Sequence, residues 1–221
     1  MPDTPHFSAT LPSQPETYWR ATTLHRLMLT ALLNELDAAL LSTSSATRTL
    51  EDWSSRHRLA PVPTVRAVCQ QTPPRPCPPA LRQALGLSED IPADALRYRH
   101  VRLICGERTL SDAENWYLPD RLTAEMNTAL DTTETPFGRV TASLAFTRRL
   151  VLAERLWTPL LEGWELQPLP AGSDTPLVFP PVLFRHHAVL ARQDGTPLSA
   201  VIESYTAGAF SFPPPAFSTA L

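Results

Sequence analysis

The sequence predicts an α+β domain in which an antiparallel β-sheet is flanked by helices. Three observations carry that prediction. Two pairs of alternating apolar segments, 97–105 with 115–118 and 182–192 with 197–206, read as hairpins. Other segments place apolar residues three and four apart, the spacing of an amphipathic helix. The two kinds of segment follow one another without the regular βαβ rhythm that a parallel sheet requires.

The elements follow in order along the 221 residues. Over 17–41, Leu24, Met28, Leu32, Leu36 and Leu40 recur at every fourth position and predict a helix. A Ser- and Thr-rich stretch precedes a second short helical pattern over 47–55. "APVPTVRAVCQ" (60–70) reads as a strand entered through prolines, and "QTPPRPCPPA" (71–80) as a stiff extended connector. "ALRQALGL" (80–87) reads as a short helix that stops near Gly86. The first hairpin is expected to carry "GERTLSDAE" (106–114) as a long loop. The second turns at "QDGT", where Asp194-Gly195 favours a tight turn. Between the hairpins, "RLTAEMNTALD" (121–131) is expected as a helix capped by Thr123. A strand is expected over 139–145 and a helix over 148–161. Residues 1–16, rich in Pro and Ser, are expected to be flexible, 17–207 to form a single domain, and 208–221, with "FPPPAF", to form a Pro-rich tail.

Composition excludes several function classes. All 19 basic residues are arginine, so Schiff-base chemistry, pyridoxal-phosphate catalysis and a P-loop each lack their lysine. The 7 glycines never fall at GxGxxG or GxSxG spacing, which leaves nucleotide cradles and the nucleophile elbow of α/β-hydrolases unsupported. A net charge of −3 without a dense basic run argues against a nucleic-acid partner. The longest apolar stretch, near residues 27–41, is interrupted by Asn34, Glu35 and Asp37, so no membrane span is expected. Three cysteines without a CxxC suit reduced thiols, and the N-terminus lacks the pattern of a secretory signal, so a cytoplasmic protein is expected. His186 and His187 are adjacent and face opposite sides of a strand, and the other histidines show no ligand spacing, so no metal and no cofactor is expected.

Two charged residues stand out. In "YRHVRLIC" (98–105), Val101, Leu103 and Cys105 form one apolar face and Arg99 shares it, while His100 and Arg102 point the other way. Either the Arg99 stem packs on the core while its head reaches water, or its planar fork clamps a carboxylate. In "PLSAVIESYTAG" (197–208) both faces of the strand are largely apolar, so Glu203 is expected to be buried. A buried carboxylate needs a cation, good hydrogen bonds or a raised pKa. A structural ion pair and a ligand contact both answer that need.

These residues, together with "TPFGR" (135–139), give the sequence a resemblance to the chorismate pyruvate-lyase family. Four segments carry it in the family's order: "SATRTLE" (45–51), "RHVRLIC" (99–105), "TPFGR", and "DGTPLSAVIESY" (194–205). The family's loop after Cys105 is one residue shorter, so Arg99 is matched by strand parity. The resemblance implies an antiparallel sheet flanked by helices around a buried ligand cavity. It also implies a lyase that converts chorismate to 4-hydroxybenzoate and pyruvate without a cofactor. Arg99 would then hold the ring carboxylate and Glu203 the hydroxyl at the far end of the ring. Phe137 and Ala46 would line the pocket, and Arg48 or Arg139 would meet the second carboxylate of the substrate. The alternative is a binding or sensor module for a small aromatic acid, without turnover. A small-molecule ligand and a monomeric chain are expected under either reading.

Overall fold

The computed structural model describes residues 18–87, 92 and 95–215; the expected flexible segment 1–16 and the final residues of the Pro-rich tail lie outside them. Thr22 starts the first helix by accepting the His25 N–H on its side-chain oxygen, and α1 runs Thr23–Leu41. Its buried stripe is Leu29, Leu33, Leu36 and Leu40, while Leu24 is exposed. The difference from the predicted stripe is geometric. With 3.6 residues per turn, a strict four-residue repeat drifts by about 40° at each step and leaves the core within a few turns. Ser45 caps α2 (Ala46–Arg56) by accepting the Arg48 N–H, and Leu50 and Trp53 of that helix enter the same core.

The strands are β1 (Val65–Cys69), β2 (Arg97–Cys105), β3 (Arg108–Tyr117), β4 (Thr147–Arg155), β5 (Phe184–Ala191) and β6 (Pro197–Tyr205). They form one antiparallel sheet in the order β1-β2-β3-β6-β5-β4. The short helices α3 (Pro79–Ala84), α4 (Ala124–Thr132) and α5 (Phe137–Val140) lie between strands in the chain. One sheet face carries the main core against α1 and α2. The other carries a smaller apolar cluster in which Leu81 and Leu85 meet Trp116, Val189 and Ala200. The predicted fold class therefore holds: α+β, an antiparallel sheet with helices.

Three local expectations are corrected. The first hairpin has no long loop, because Gly106, at φ +57°, turns the chain tightly and β3 starts at Arg108. The predicted strand over 139–145 is instead α5 followed by a 3₁₀ turn (Ala142–Leu144) that ends on Ala145 in the left-handed region. Pro136 sits in an extended conformation at the start of α5, and its carbonyl accepts from Arg139 and Val140. The predicted helix over 148–161 is the edge strand β4. A bulge there, where the pairing jumps from Leu150–Ala188 to Leu152–His187, breaks the two-residue alternation and disguises a strand as a helix.

The chain after β6 closes the core. The 3₁₀ turn Ala207–Phe210 passes so close to β3 that a Cβ on Gly208 would collide with the backbone of Thr109. Phe210 and Phe212 are buried, so 208–212 belongs to the body of the fold, although the Pro-rich tail was expected to begin there. Trp19 and Trp53 donate their indole N–H groups to the Phe210 and Ala209 carbonyls, both at 2.8 Å.

His57 stacks on Phe212 with ring centroids 4.1 Å apart and planes 15° from parallel. Burial, and then the neighbouring Arg56, hold its pKa below the ordinary 6.5. The unfolded chain therefore takes up this proton first on acidification. His57 costs no stability above pH 6.5 and progressively destabilises the fold as pH falls below it. Melting temperatures at pH 7.5 and pH 5.5 should differ less in His57→Phe than in the wild type. An unchanged difference would show that His57 does not contribute to the acid sensitivity.

Candidate ligand-binding site

The strand pairing brings buried polar side chains onto the core face of the sheet. Arg99 lies opposite Asn115, Asn115 opposite Val201, and Ala113 opposite Glu203. Arg148 pairs with Leu190 at the other side of the sheet. Above them stand the start of α2 (Ser44–Thr47), the turn Pro136–Gly138 and Phe146. Together they line a partly open cavity of about 70 Å³, walled mostly by apolar groups such as Val101, Leu103, Phe137 and Val201.

Arg99 is only 8% exposed, and no carboxylate among the described residues pairs with it. Its Nε donates to the Leu130 carbonyl at 3.1 Å, and Nη2 reaches the Thr133 and Thr135 carbonyls at 3.5 and 3.4 Å. These acceptors lie at the C-terminal end of α4 and just beyond it, where carbonyl dipoles favour a cation. The carbonyls orient the guanidinium without neutralising it. Of the two readings the sequence left open for Arg99, the water-reaching head does not occur.

Glu203 is 8% exposed and also lines the cavity. Its Oε2 accepts from Arg148 Nη2 at 2.7 Å, an ion pair buried on both sides. Burial works against the Arg148 charge, but the charge and hydrogen bond of Glu203 together with Tyr205 outweigh it, and the Arg148 pKa stands above its ordinary value. Full burial, with the Glu203 charge adding to it, likewise pushes the Tyr205 hydroxyl well above its ordinary pKa, so it remains protonated. Arg99, Arg148 and Glu203 are the ionisable groups on the cavity wall. The pair cancels, which leaves one net positive charge, on Arg99.

Of the other residues marked by the sequence, Ala46 and Phe137 line the cavity, and Arg48 and Arg139 do not. Arg48 is exposed on the first turn of α2. Arg139 points to the surface and donates to Glu51 at 2.6 Å, in a pair whose arginine is half exposed. Arg48 stands on the outward side of α2, whose Ala46, Thr47, Leu50 and Trp53 face the core, and the "TPFGR" turn sends Phe137 inward and Arg139 outward. The sequence reading missed Arg148, Asn115 and Thr47. Arg148 was hidden by the β4 bulge, and Asn115, the first residue of the expected second strand of the first hairpin, was not singled out as a site residue. The signal for Asn115 was its alternation with Ala113 and Tyr117, which places it on the core face once β3 is extended back to Arg108. No group of three or more His, Cys, Asp or Glu side chains among the described residues is arranged to hold a metal ion. No helix among them is long and apolar enough to cross a membrane.

Fold and site together define an α+β protein with a partly open cavity on one sheet face, whose wall among the described residues carries one net positive charge. The chain belongs to the family of y4mC of Sinorhizobium fredii (strain NBRC 101917 / NGR234), an uncharacterized protein. It is 50% identical to y4mC over 200 residues, which cover 89% of this chain and 83% of y4mC. No protein-family model matches it. Among solved structures it is similar to PhnF from Mycobacterium smegmatis, with a TM-score of 0.46 and 13% identity over 82% of this chain and 71% of that one. It is also similar to the effector domain of that protein, with a TM-score of 0.43 and 13% identity over 74% of this chain and 88% of the other. A further similarity is to YydK from Bacillus subtilis, a possible transcriptional regulator, with a TM-score of 0.39 and 18% identity. That match covers 70% of this chain and 63% of YydK, so the chain spans less than two thirds of YydK's length.

Proposed function

We propose that the protein binds a small aromatic monocarboxylic acid in this cavity, with the carboxylate on Arg99 and a ring hydroxyl at Glu203. The observation that carries the reading is the buried Arg99 guanidinium, which has no carboxylate partner among the described residues. A buried charge left unpaired is costly, and a bound anion is the partner that relieves it. The apolar walls suit a ring, and Glu203, held by Arg148, offers a fixed acceptor to a hydroxyl. The ligand charge follows from the same count. One net positive charge matches a monoacid, whereas chorismate carries two carboxylates, and Arg48 and Arg139 lie outside the cavity.

The second reading is the lyase. It is favoured by one observation: Arg99, Glu203, Phe137 and Ala46, four of the six positions that the resemblance marks, line the same cavity. In that reaction the C3–O bond to the enolpyruvyl group breaks and the C4 hydrogen leaves as a proton. The ring becomes aromatic, and the departing enolpyruvate takes up a proton at its methylene carbon to become pyruvate, which balances the proton lost from C4. Aromatisation supplies the driving force, and the protein's part is to fix substrate geometry and stabilise the leaving charge. One pair of experiments separates the readings. Calorimetric titration with 4-hydroxybenzoate should give one site per chain, and incubation with chorismate should release no pyruvate above the spontaneous rate. Pyruvate and 4-hydroxybenzoate in equal amounts would establish the lyase. No binding of the acid and no turnover would overturn both.

A further inference from the structure

We infer that the groove beyond the C-terminal end of α2 is a second ligand site, which takes the dianionic phosphate group of a small phosphate monoester. The groove shares no residue with the cavity that Arg99 lines, so its ligand is independent of the aromatic acid proposed above. Its volume is about 560 Å³. Ser55, Arg58 and Arg108 supply the polar lining, and Leu59, Ala60, Pro61 and Pro63 the apolar walls. No carboxylate among the described residues lines it.

Arg58 carries the assignment. The chain leaves α2 with the Arg58 N–H on the Ser55 carbonyl and the Leu59 N–H on the Ser54 carbonyl, a helix end that turns on one left-handed residue. Arg58 is that residue, at φ +52°, where glycine fits without strain and an L side chain does not. The Arg58 side chain is exposed, with no ion pair or side-chain hydrogen bond among the described residues. A strained backbone position that holds an unpaired cation points to a ligand for that cation. Arg108 joins it from β3. Its Nη1 donates to the carbonyl of Leu59, the residue next to Arg58, and its Nη2 stays unpaired among the described residues.

The ligand class follows from the charge. Two guanidiniums give the groove a double positive charge, and guanidinium forks match phosphate oxygens. A phosphate monoester carries close to two negative charges above pH 7, whereas a carboxylate carries one. The proline and leucine walls suit the organic part of the ester.

The test is a calorimetric titration with phenyl phosphate and with its singly charged methyl ester, methyl phenyl phosphate, on the wild type and on Arg58→Gly. Phenyl phosphate should bind the wild type at least about fivefold more tightly than the methyl ester, the worth of one charge-assisted hydrogen bond at an exposed site. Glycine suits the left-handed position, so Arg58→Gly should melt no lower than the wild type, yet bind phenyl phosphate at least about fivefold more weakly. That combination separates a ligand contact from a structural role for Arg58. Binding that Arg58→Gly leaves unchanged would place the ester elsewhere and overturn the assignment. Equal affinity for the two esters, or no binding at millimolar concentration, overturns it as well, and neither result needs a variant.

Discussion

Arg148→Ala should unfold far more readily than the wild type, losing about 3–5 kcal/mol of stability. The side chains of Arg148 and Glu203 are 4% and 10% exposed, so removing the guanidinium leaves a buried carboxylate without its cation. For a domain of this size each kcal/mol moves the melting temperature by roughly 2–4 °C, so a drop of roughly 10 °C is expected. The double variant Arg148→Met, Glu203→Leu should recover most of the loss. Replacing a buried ion pair with apolar side chains of similar volume is often neutral or stabilising. The contrast between single and double variants, read by urea unfolding, isolates the cost of the orphaned charge. A loss below about 1 kcal/mol in Arg148→Ala would mean that Glu203 finds water or another donor.

The second large effect is on binding. Arg99→Met keeps the apolar stem and removes the one uncompensated charge that the described residues place on the cavity wall. A charge-assisted hydrogen bond contributes about 1.5–3 kcal/mol, so 4-hydroxybenzoate should bind roughly ten- to a hundredfold more weakly. Binding of neutral 4-hydroxybenzamide should change much less, because it brings no carboxylate for Arg99 to neutralise. Equal losses for acid and amide would mean that the substitution distorts the cavity and that Arg99 is not a charge anchor.

How much of this was legible in the sequence depends on alternation. β2 keeps a clean two-residue period from Tyr98 to Cys105, so the inward direction of Arg99 follows from parity alone. Glu203 was legible for a related reason: with apolar residues on both faces of β6, it is buried whichever face meets the core. Its partner was not. β4 is an edge strand with a bulge, its alternation is interrupted, and exposed Leu150 and Leu152 sit where a helix pattern also fits. Arg148 is thus placed by tertiary pairing with β5, which no local pattern encodes. Asn115 was missed for a different reason: it stood in the expected strand, but that strand was cut short at 115–118 because the tight turn at Gly106 depends on one left-handed residue, so only half of the Ala113, Asn115, Tyr117 alternation was visible. Segment resemblance marked Arg139 as a candidate, yet it turns to Glu51, because a four-residue helix presents only part of its surface inward.

The most direct test of the central claim is a crystal structure of the protein with 4-hydroxybenzoate bound. The ligand carboxylate should lie within hydrogen-bond distance of Arg99, with its ring against Phe137 and its hydroxyl at Glu203. A ligand bound outside this cavity, or inside it with the carboxylate turned away from Arg99, would contradict the account.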